Sequence, residues 1–288
     1  MELHELREQC KKEAIVTTVE KEPIVTTVEK FTSKIPHRIW TYWDSDTPPY
    51  LVKECIKSWK WYNPTYDVVV LNKTNVKDYI KTDVFALPLA NTPQRTSDFV
   101  RIHVLAQHGG IWADASLLMN APLDWIHETQ ADLVCYSIDH IHELNQPVLE
   151  NWFLACAPRC DFMEKWRDEF VSINRFKDGE DYLEDLKARD TNLNTIFCTP
   201  YLTMHAAAQY VLQKMNSSSE LRVLDAREGP YYHLRFNTNP LSFEEGIPNL
   251  LSDPVQPIVK FRGIDREFLN HHPETLKAIS ERFFKVFS

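Results

Sequence analysis

The chain has 288 residues, of which 43% are hydrophobic and 25% are charged. This length and composition suit one α/β domain with decorations and exclude a disordered, collagenous or coiled-coil protein. The formal net charge of −9 argues against a nucleic-acid partner, because phosphate backbones are bound by clustered lysine and arginine. The sequence contains no run of about 18 apolar residues and has a charged N-terminus, so we expect a soluble, cytoplasmic protein with no transmembrane segment.

A duplicated segment lies near the N-terminus, where IVTTVEK at Ile15–Lys21 returns at Ile24–Lys30. Two short units are too few for a solenoid, which needs about three. An oligomerising or tethering arm and a recently duplicated leader both remain open. We expect residues 1–33 to form an N-terminal extension and residues 34–288 to form one domain.

The six cysteines are scattered along the chain. Only Cys156 and Cys160 lie close together, and neither a histidine nor a second cysteine pair completes a zinc motif beside them. We therefore expect reduced, mostly buried thiols.

From residue 35 onward, strand-like segments alternate with segments of helical periodicity. In chain order, the predicted strands cover residues 35–43, 68–71, 111–118, 132–138, 222–226 and 258–261. The predicted helices run from residue 51 to Asn63–Pro64, from a cap at Thr96–Asp98 to Gly109–Gly110, and over residues 161–174, 202–215 and 273–287. This alternation predicts an α/β fold with a mostly parallel central sheet and a C-terminal helix.

The segment that carries chemistry is SDFVRIHVLAQHGGIWADAS, residues 97–116. Asp98 and Arg101 are three residues apart in a predicted helix, so they share a face. Asp114 falls near the carboxyl end of the following strand, where open α/β sheets bind ligands. A crevice for a ligand with hydroxyls and phosphates and a structural ion pair are both compatible with this spacing.

These residues resemble the S-D-x-x-R…G-G-[IV]-[YW]-x-D-x-[DST] signature of sugar transferases with the GT-A fold, a group that includes α-mannosyl and α-galactosyl transferases and clostridial glucosylating toxins. The resemblance is strongest to the capsular polysaccharide synthesis protein family, which reads G-G-I-W-x-D-A-T where this chain has Gly109–Ser116. Further segments resemble that family at Ile35–Trp43, Trp59–Tyr66, Glu150–Ala155 and, more weakly, Val259–Phe261. The similarity covers roughly residues 34 to 215.

The resemblance implies a Rossmann-like GT-A glycosyltransferase that moves a sugar from a nucleotide diphosphate to a hydroxyl of a glycan or polysaccharide, with retention favoured. UDP-sugar is the expected donor, ahead of GDP-sugar. The implied catalytic residues are Asp98, Arg101 and Asp114. The implied donor-binding residues are Trp40, Ser97, Asp98, Arg101, Trp112 and Lys260.

The resemblance also implies a Mn²⁺ or Mg²⁺ ion held by Asp114 and Ser116 against the donor phosphates. The serine stands where the stricter D-x-D pattern has a second carboxylate, so we expect weak metal affinity without the donor. On the acceptor side, Glu150, Asn151 and Trp152 resemble a family segment near the acceptor, and Asp139 follows a predicted strand that ends near the cleft.

Several alternatives remain open. Trp40 and Trp112 suit core packing as well as donor contacts, and Lys260 suits an exposed position on a strand. The same site in a donor hydrolase loses the sugar to water. A catalytically silent glycan- or nucleotide-binding protein keeps the fold but no longer holds the metal.

Overall fold

The computed structural model describes residues 34–138, 146–194, 196, 200–236 and 240–287. Its strands are β1 (Arg38–Tyr42), β2 (Asp67–Leu71), β3 (Gly110–Ala113), β4 (Leu117–Met119), β5 (Leu133–Ser137), β6 (Leu149–Cys156), β7 (Leu221–Asp225) and β8 (Ile258–Lys260). Its α-helices are α1 (Tyr50–Tyr62), α2 (Pro93–His108), α3 (Trp125–Glu128), α4 (Asp161–Val171), α5 (Gly179–Ala188), α6 (Thr203–Lys214), α7 (Phe243–Ser252), α8 (Gly263–His271) and α9 (Pro273–Phe283). The duplicated IVTTVEK segment lies outside the described residues.

Six of these strands form the central sheet in the order β2-β1-β3-β6-β5-β7. The β1–β2, β1–β3 and β5–β7 pairs are parallel, whereas β6 is antiparallel to both of its neighbours. The predicted α/β class with a mostly parallel sheet is thus confirmed, and so is the C-terminal helix. Strand β6 was not predicted. Because β6 is antiparallel to β3, its first residues lie at the end of the sheet where β3 stops.

The two faces of the sheet carry two apolar clusters, as the alternation of side chains along a strand requires. On β1, Trp40 packs into the cluster that contains α2, α4 and α6 residues, and Ile39 packs into the opposite one with α1 and the C-terminal helices. Trp112 and Ile111 on β3 divide in the same way. Helices within the described residues therefore cover both faces of the sheet.

Helix α2 begins one turn earlier than predicted. Thr92 is the N-cap and its hydroxyl accepts the N–H of Arg95, with Pro93 at the first helical position. Asp98 was expected at the cap, but it lies in the helix interior, where its side chain is free to take part in a site.

The predicted strand over residues 111–118 is two strands in two sheets. The chain leaves the central sheet after Ala113, turns through residues 114–116, and pairs again as β4 with β8, antiparallel. Asp114 lies in this turn, at the carboxyl end of β3 as predicted. Among the described residues, no helix is both long enough and apolar enough to cross a membrane.

A buried histidine makes stability depend on pH. His233 is 3% exposed, its Nε2 has no hydrogen-bond partner, and burial lowers its pKa to about 4. The unfolded chain binds a proton at this residue below about pH 6.5 whereas the folded chain does not, so stability falls as the pH drops from 6.5 towards 4. We expect His233 alone to remove on the order of 2 kcal/mol of unfolding free energy between pH 7 and pH 5.

Urea unfolding at pH 7 and pH 5 measures this effect. In His233→Gln the pH dependence should be smaller by that amount, whereas in His271→Gln, at an exposed histidine, it should be unchanged. If the stability of His233→Gln depends on pH as much as that of the unchanged chain, His233 is not the source of the effect.

Candidate active site

Charged side chains from three separate elements meet where β3 ends. Arg95, Asp98 and Arg101 lie on one side of α2, Asp114 follows β3, and Lys260 is the last residue of β8. We call these five residues the charged cluster. It contains three cations and two carboxylates, and it lies at the edge of the sheet where parallel α/β folds bind their ligands.

Arg101 connects the two carboxylates. Its Nη1 donates to Asp98 Oδ1 and its Nη2 to Asp114 Oδ1, both at 2.9 Å. The guanidinium also lies over the ring of Trp112, 4.9 Å from its centroid, and Arg101 is only 4% exposed. A planar guanidinium held on two sides and stacked on a ring has little freedom, so the arrangement is preorganised.

Lys260 reaches the cluster because of the small second sheet. β4 and β8 pair in the register Leu117 opposite Lys260, and the N–H of Phe261 donates to the carbonyl of Ser116 at 3.1 Å. The Lys260 ammonium then donates to Asp114 Oδ2 at 2.6 Å and lies 3.4 Å from the Ser116 hydroxyl. Lys260 is 5% exposed, so it is not the exposed strand lysine of the alternative interpretation.

Asp114 accepts three hydrogen bonds on its two oxygens, because the Trp112 indole N–H also donates to Oδ1, at 3.0 Å. Burial raises the pKa of Asp114, but the charges of Lys260 and Arg101 outweigh this effect and lower it to about 2. The carboxylate is therefore ionised at neutral pH. Its side chain is 27% exposed, the most of any member of the cluster.

Asp98 has a drier environment. Arg95 Nη1 lies 3.4 Å from its Oδ2, and the Asn151 amide donates to its Oδ1 at 3.2 Å. Burial raises the pKa of Asp98, although Arg101 and Arg95 oppose the shift. Asp98 and Asp114 thus differ in their tendency to ionise, although Arg101 donates to both of them.

Comparison with protein-family models shows the family to which the chain belongs. The family model for the capsular polysaccharide synthesis protein matches residues 2–186, which include α2, β3 and Asp114. The chain belongs to this family. The resemblance seen in the sequence is thereby confirmed.

A curated glycosyltransferase matches part of the chain. Glycosyltransferase afumC of Aspergillus fumigatus is 26% identical over an alignment of 165 residues, and the match covers 49% of this chain and 41% of that protein. This chain therefore spans less than half the length of that relative.

Solved structures of toxin glycosyltransferase domains are also similar in part. The UDP-bound domain from the YGT toxin has a TM-score of 0.41 at 13% identity, over 88% of this chain and 99% of that one. PaToxG glycosyltransferase has a TM-score of 0.37 at 14% identity, over 86% and 78%. Likenesses this low support no argument about the site.

Three tryptophans expected near ligands are buried. Trp40 is fully buried on β1 and donates to the carbonyl of Gly109 at 2.9 Å, so neither ring face is open to a base. Trp112 is fully buried too, and it orients Asp114 and Arg101. Trp152 is 4% exposed and stacks on Tyr136. Strand alternation turns each ring into the core, which is the alternative that the sequence left open for Trp40 and Trp112.

The expected acceptor segment does lie beside the cluster. Antiparallel β6 starts next to the end of β3, and the N–H of Asp114 donates to the carbonyl of Trp152 at 2.9 Å. Asn151 contacts Asp98, and Glu150 Oε2 lies 3.8 Å from the buried imidazole of His205. Ser97 is partly exposed on α2. Asp139 lies outside the described residues.

Two site residues were not predicted. Arg95 lies one helical turn before Asp98, and this i,i+3 spacing could have been recognised in the sequence. Tyr201 is 68% exposed and had no signal, since it lies in the short 3₁₀ turn Pro200–Leu202. Arg95 donates to the Pro200 carbonyl at 2.6 Å, which ties this turn to α2. Tyr201 therefore directly follows a residue that Arg95 of the charged cluster holds.

The described residues do not fit the expected divalent ion. Both Asp114 oxygens are already taken by cations or N–H donors, and Ser116 is fully buried beside Lys260. Two further buried groups nearby, Arg101 Nε and Trp152 Nε1, are hydrogen-bond donors without partners. In the part of the chain that the structure describes, no three histidine, cysteine or acidic side chains are grouped to hold a metal. An ion requires oxygen acceptors, and this site offers a surplus of donors.

Proposed function

We propose that this protein is a glycosyltransferase that takes its sugar from a nucleotide diphosphate, with UDP-sugar as the first donor to test. Membership of the capsular polysaccharide synthesis protein family and the likeness to a fungal glycosyltransferase support this activity. The observation that carries the proposal is the charged cluster itself. Its carboxylates and cations converge at the ligand-binding edge of an α/β sheet, and this is the combination that a sugar diphosphate requires.

We assign the hydroxyls, the phosphates and the base of the donor to different side chains of the site. Asp98 and Asp114 each accept three hydrogen bonds from protein donors, and a carboxylate has about four lone-pair sites, so one site on each is left for a sugar or ribose hydroxyl. A hydroxyl carries no charge, so the cations beside Asp114 that disfavour a metal ion do not oppose it. Arg101 supplies planar donors for phosphate oxygens. The exposed ring of Tyr201 offers a face on which a base stacks, whereas the Trp40 ring is fully buried.

The reaction exchanges one bond at the anomeric carbon. The bond from that carbon to the phosphate oxygen breaks, and the acceptor hydroxyl oxygen forms the new bond. The electron pair of the broken bond stays on the nucleoside diphosphate. If the configuration is retained, the hydroxyl proton passes to the departing diphosphate, and no strong base is needed. We place the acceptor on the side of the cluster where Asn151 contacts Asp98, and Glu150 precedes Asn151 on β6.

Calorimetry with UDP and with GDP tests the donor assignment. We expect UDP to bind and GDP to bind more weakly, both measured in Mn²⁺ and in EDTA so that the result does not depend on a metal. UDP-sugars are then incubated with the protein, and UDP release is measured with and without glycan acceptors. Release that increases with acceptor, together with a glycosylated product, is the expected result.

The same measurements distinguish the competing activities. UDP and free sugar formed at a rate that acceptors do not change would identify a donor hydrolase. Nucleotide binding without any turnover would identify a silent binding protein. Binding of neither nucleotide under either condition would overturn the proposal.

A further inference from the structure

The Asp114 carboxylate already has its counter-charges inside the protein. Lys260 holds one oxygen at 2.6 Å and Arg101 the other at 2.9 Å. The structure thus brings a lysine from residue 260 to the carboxylate at which the family resemblance expects a metal ion, and it does so through an ordinary strand pairing of β4 with β8.

A divalent ion and this lysine compete for one place. A Mg²⁺ ion bound to Asp114 Oδ2 would lie about 2.0–2.1 Å from that oxygen, and the Lys260 ammonium already lies 2.6 Å from the same atom. Two cations at such a distance in a buried site repel strongly, because little water is present to screen them. Ser116, the second expected ligand, is fully buried, and its hydroxyl lies 3.4 Å from the Lys260 ammonium.

Lysine also retains a capacity to bind phosphate. Its ammonium has three N–H donors, and the contacts with Asp114 and Ser116 use two of them, the second at a long 3.4 Å. With Arg95 and Arg101, it gives the charged cluster one more cation than carboxylate. The surplus charge and the spare donors favour an anionic oxygen, such as that of a diphosphate.

We propose that the Lys260 ammonium replaces the divalent cation, so that the donor diphosphate is bound and its departing charge is stabilised without a metal. This inference rests on the proposed function. The positive charge that neutralises the leaving nucleoside diphosphate is then a fixed part of the chain, supplied by Lys260 together with Arg101.

Calorimetry of UDP binding to the full chain tests the proposal, with EDTA in one series and Mn²⁺ in the other. The unchanged chain should bind UDP equally well in both. Lys260→Ala should bind UDP about 10- to 100-fold more weakly in EDTA, the range expected for loss of a charged hydrogen bond. Lys260→Arg keeps the charge and should retain most of the affinity, and Lys57→Ala, at an exposed lysine of α1, should bind as the unchanged chain does.

Because Lys260→Ala leaves Asp114 without one partner, its folding is checked by circular dichroism and thermal unfolding before binding is measured. UDP binding that requires Mn²⁺ in the unchanged chain overturns the replacement but leaves the transferase proposal intact. A folded Lys260→Ala that binds UDP in EDTA as tightly as the unchanged chain also overturns it. Absence of nucleotide binding in every condition instead removes the transferase proposal on which this inference rests.

Discussion

Asp114→Asn is expected to reduce sugar transfer by about 100-fold or more, since displacing preorganised charges in an active site has effects of this size. The amide keeps the shape of the carboxylate but not its charge. Lys260 and Arg101 then lose the anion that holds both of them in place, and two buried cations face an NH₂ donor or a neutral oxygen. The free energy of unfolding should also fall, by about 2–4 kcal/mol, because uncompensated buried charge is costly.

The measurement is kcat/KM from nucleotide release, at a temperature where circular dichroism shows the variant folded. Asp67→Asn is the matched control. It makes the same chemical change in an exposed ion pair with Arg38 and should leave transfer unchanged. A folded Asp114→Asn that transfers sugar as fast as the unchanged chain would show that the charged cluster is not the active site.

Gly109→Ala is expected to destabilise the whole domain, by about 3 kcal/mol or more, through backbone strain and overpacking together. Gly109 ends α2 with φ +62° and ψ −157°, a region that is almost restricted to glycine. A Cβ at this position would lie 2.5 Å from Pro158 N and 2.7 Å from the carbonyl oxygen of Cys156. These are backbone atoms of the last residue of β6 and of the loop after it, so the clash cannot be relieved by a side-chain rotation.

Urea unfolding with circular dichroism measures the loss. Gly229→Ala is the control, because φ is −141° there and no atom lies within 4 Å of the added carbon. We expect Gly229→Ala to differ little from the unchanged chain. If Gly109→Ala is as stable as Gly229→Ala, the tight turn between α2 and β3 is not what fixes the position of Asp114.

Much of the site was visible in the sequence because its members are local. Asp98 and Arg101 share a helix face at i,i+3, the diglycine ends that helix, and Asp114 comes where the next strand stops. Each of these relations depends on spacing within about 20 residues, and helix and strand geometry convert spacing directly into position. The α/β class followed from the same periodicities, and the family signature followed from the order of the motifs.

The roles of the aromatic residues were not visible. Tryptophan rings are suited to stacking on a base or a sugar, yet the rings of Trp40, Trp112 and Trp152 all lie in the core. A sequence does not reveal which face of a strand a helix will cover, since both faces of a central strand are apolar. Tyr201, whose ring is exposed and which follows the residue that Arg95 holds, lies in a 3₁₀ turn with no periodicity to mark it.

The sequence by itself determined the α/β class, the family and the motif that holds Asp98, Arg101 and Asp114, because short-range geometry and motif order carry that information. Only the tertiary structure decided what faces Asp114. The pairing of β4 with β8 joins residues 117 and 260, far apart in the chain, and delivers the Lys260 ammonium to the carboxylate at 2.6 Å. A contact of that sequence separation depends on sheet topology and not on any local pattern, so the lysine's place beside Asp114 could be seen only in the folded chain.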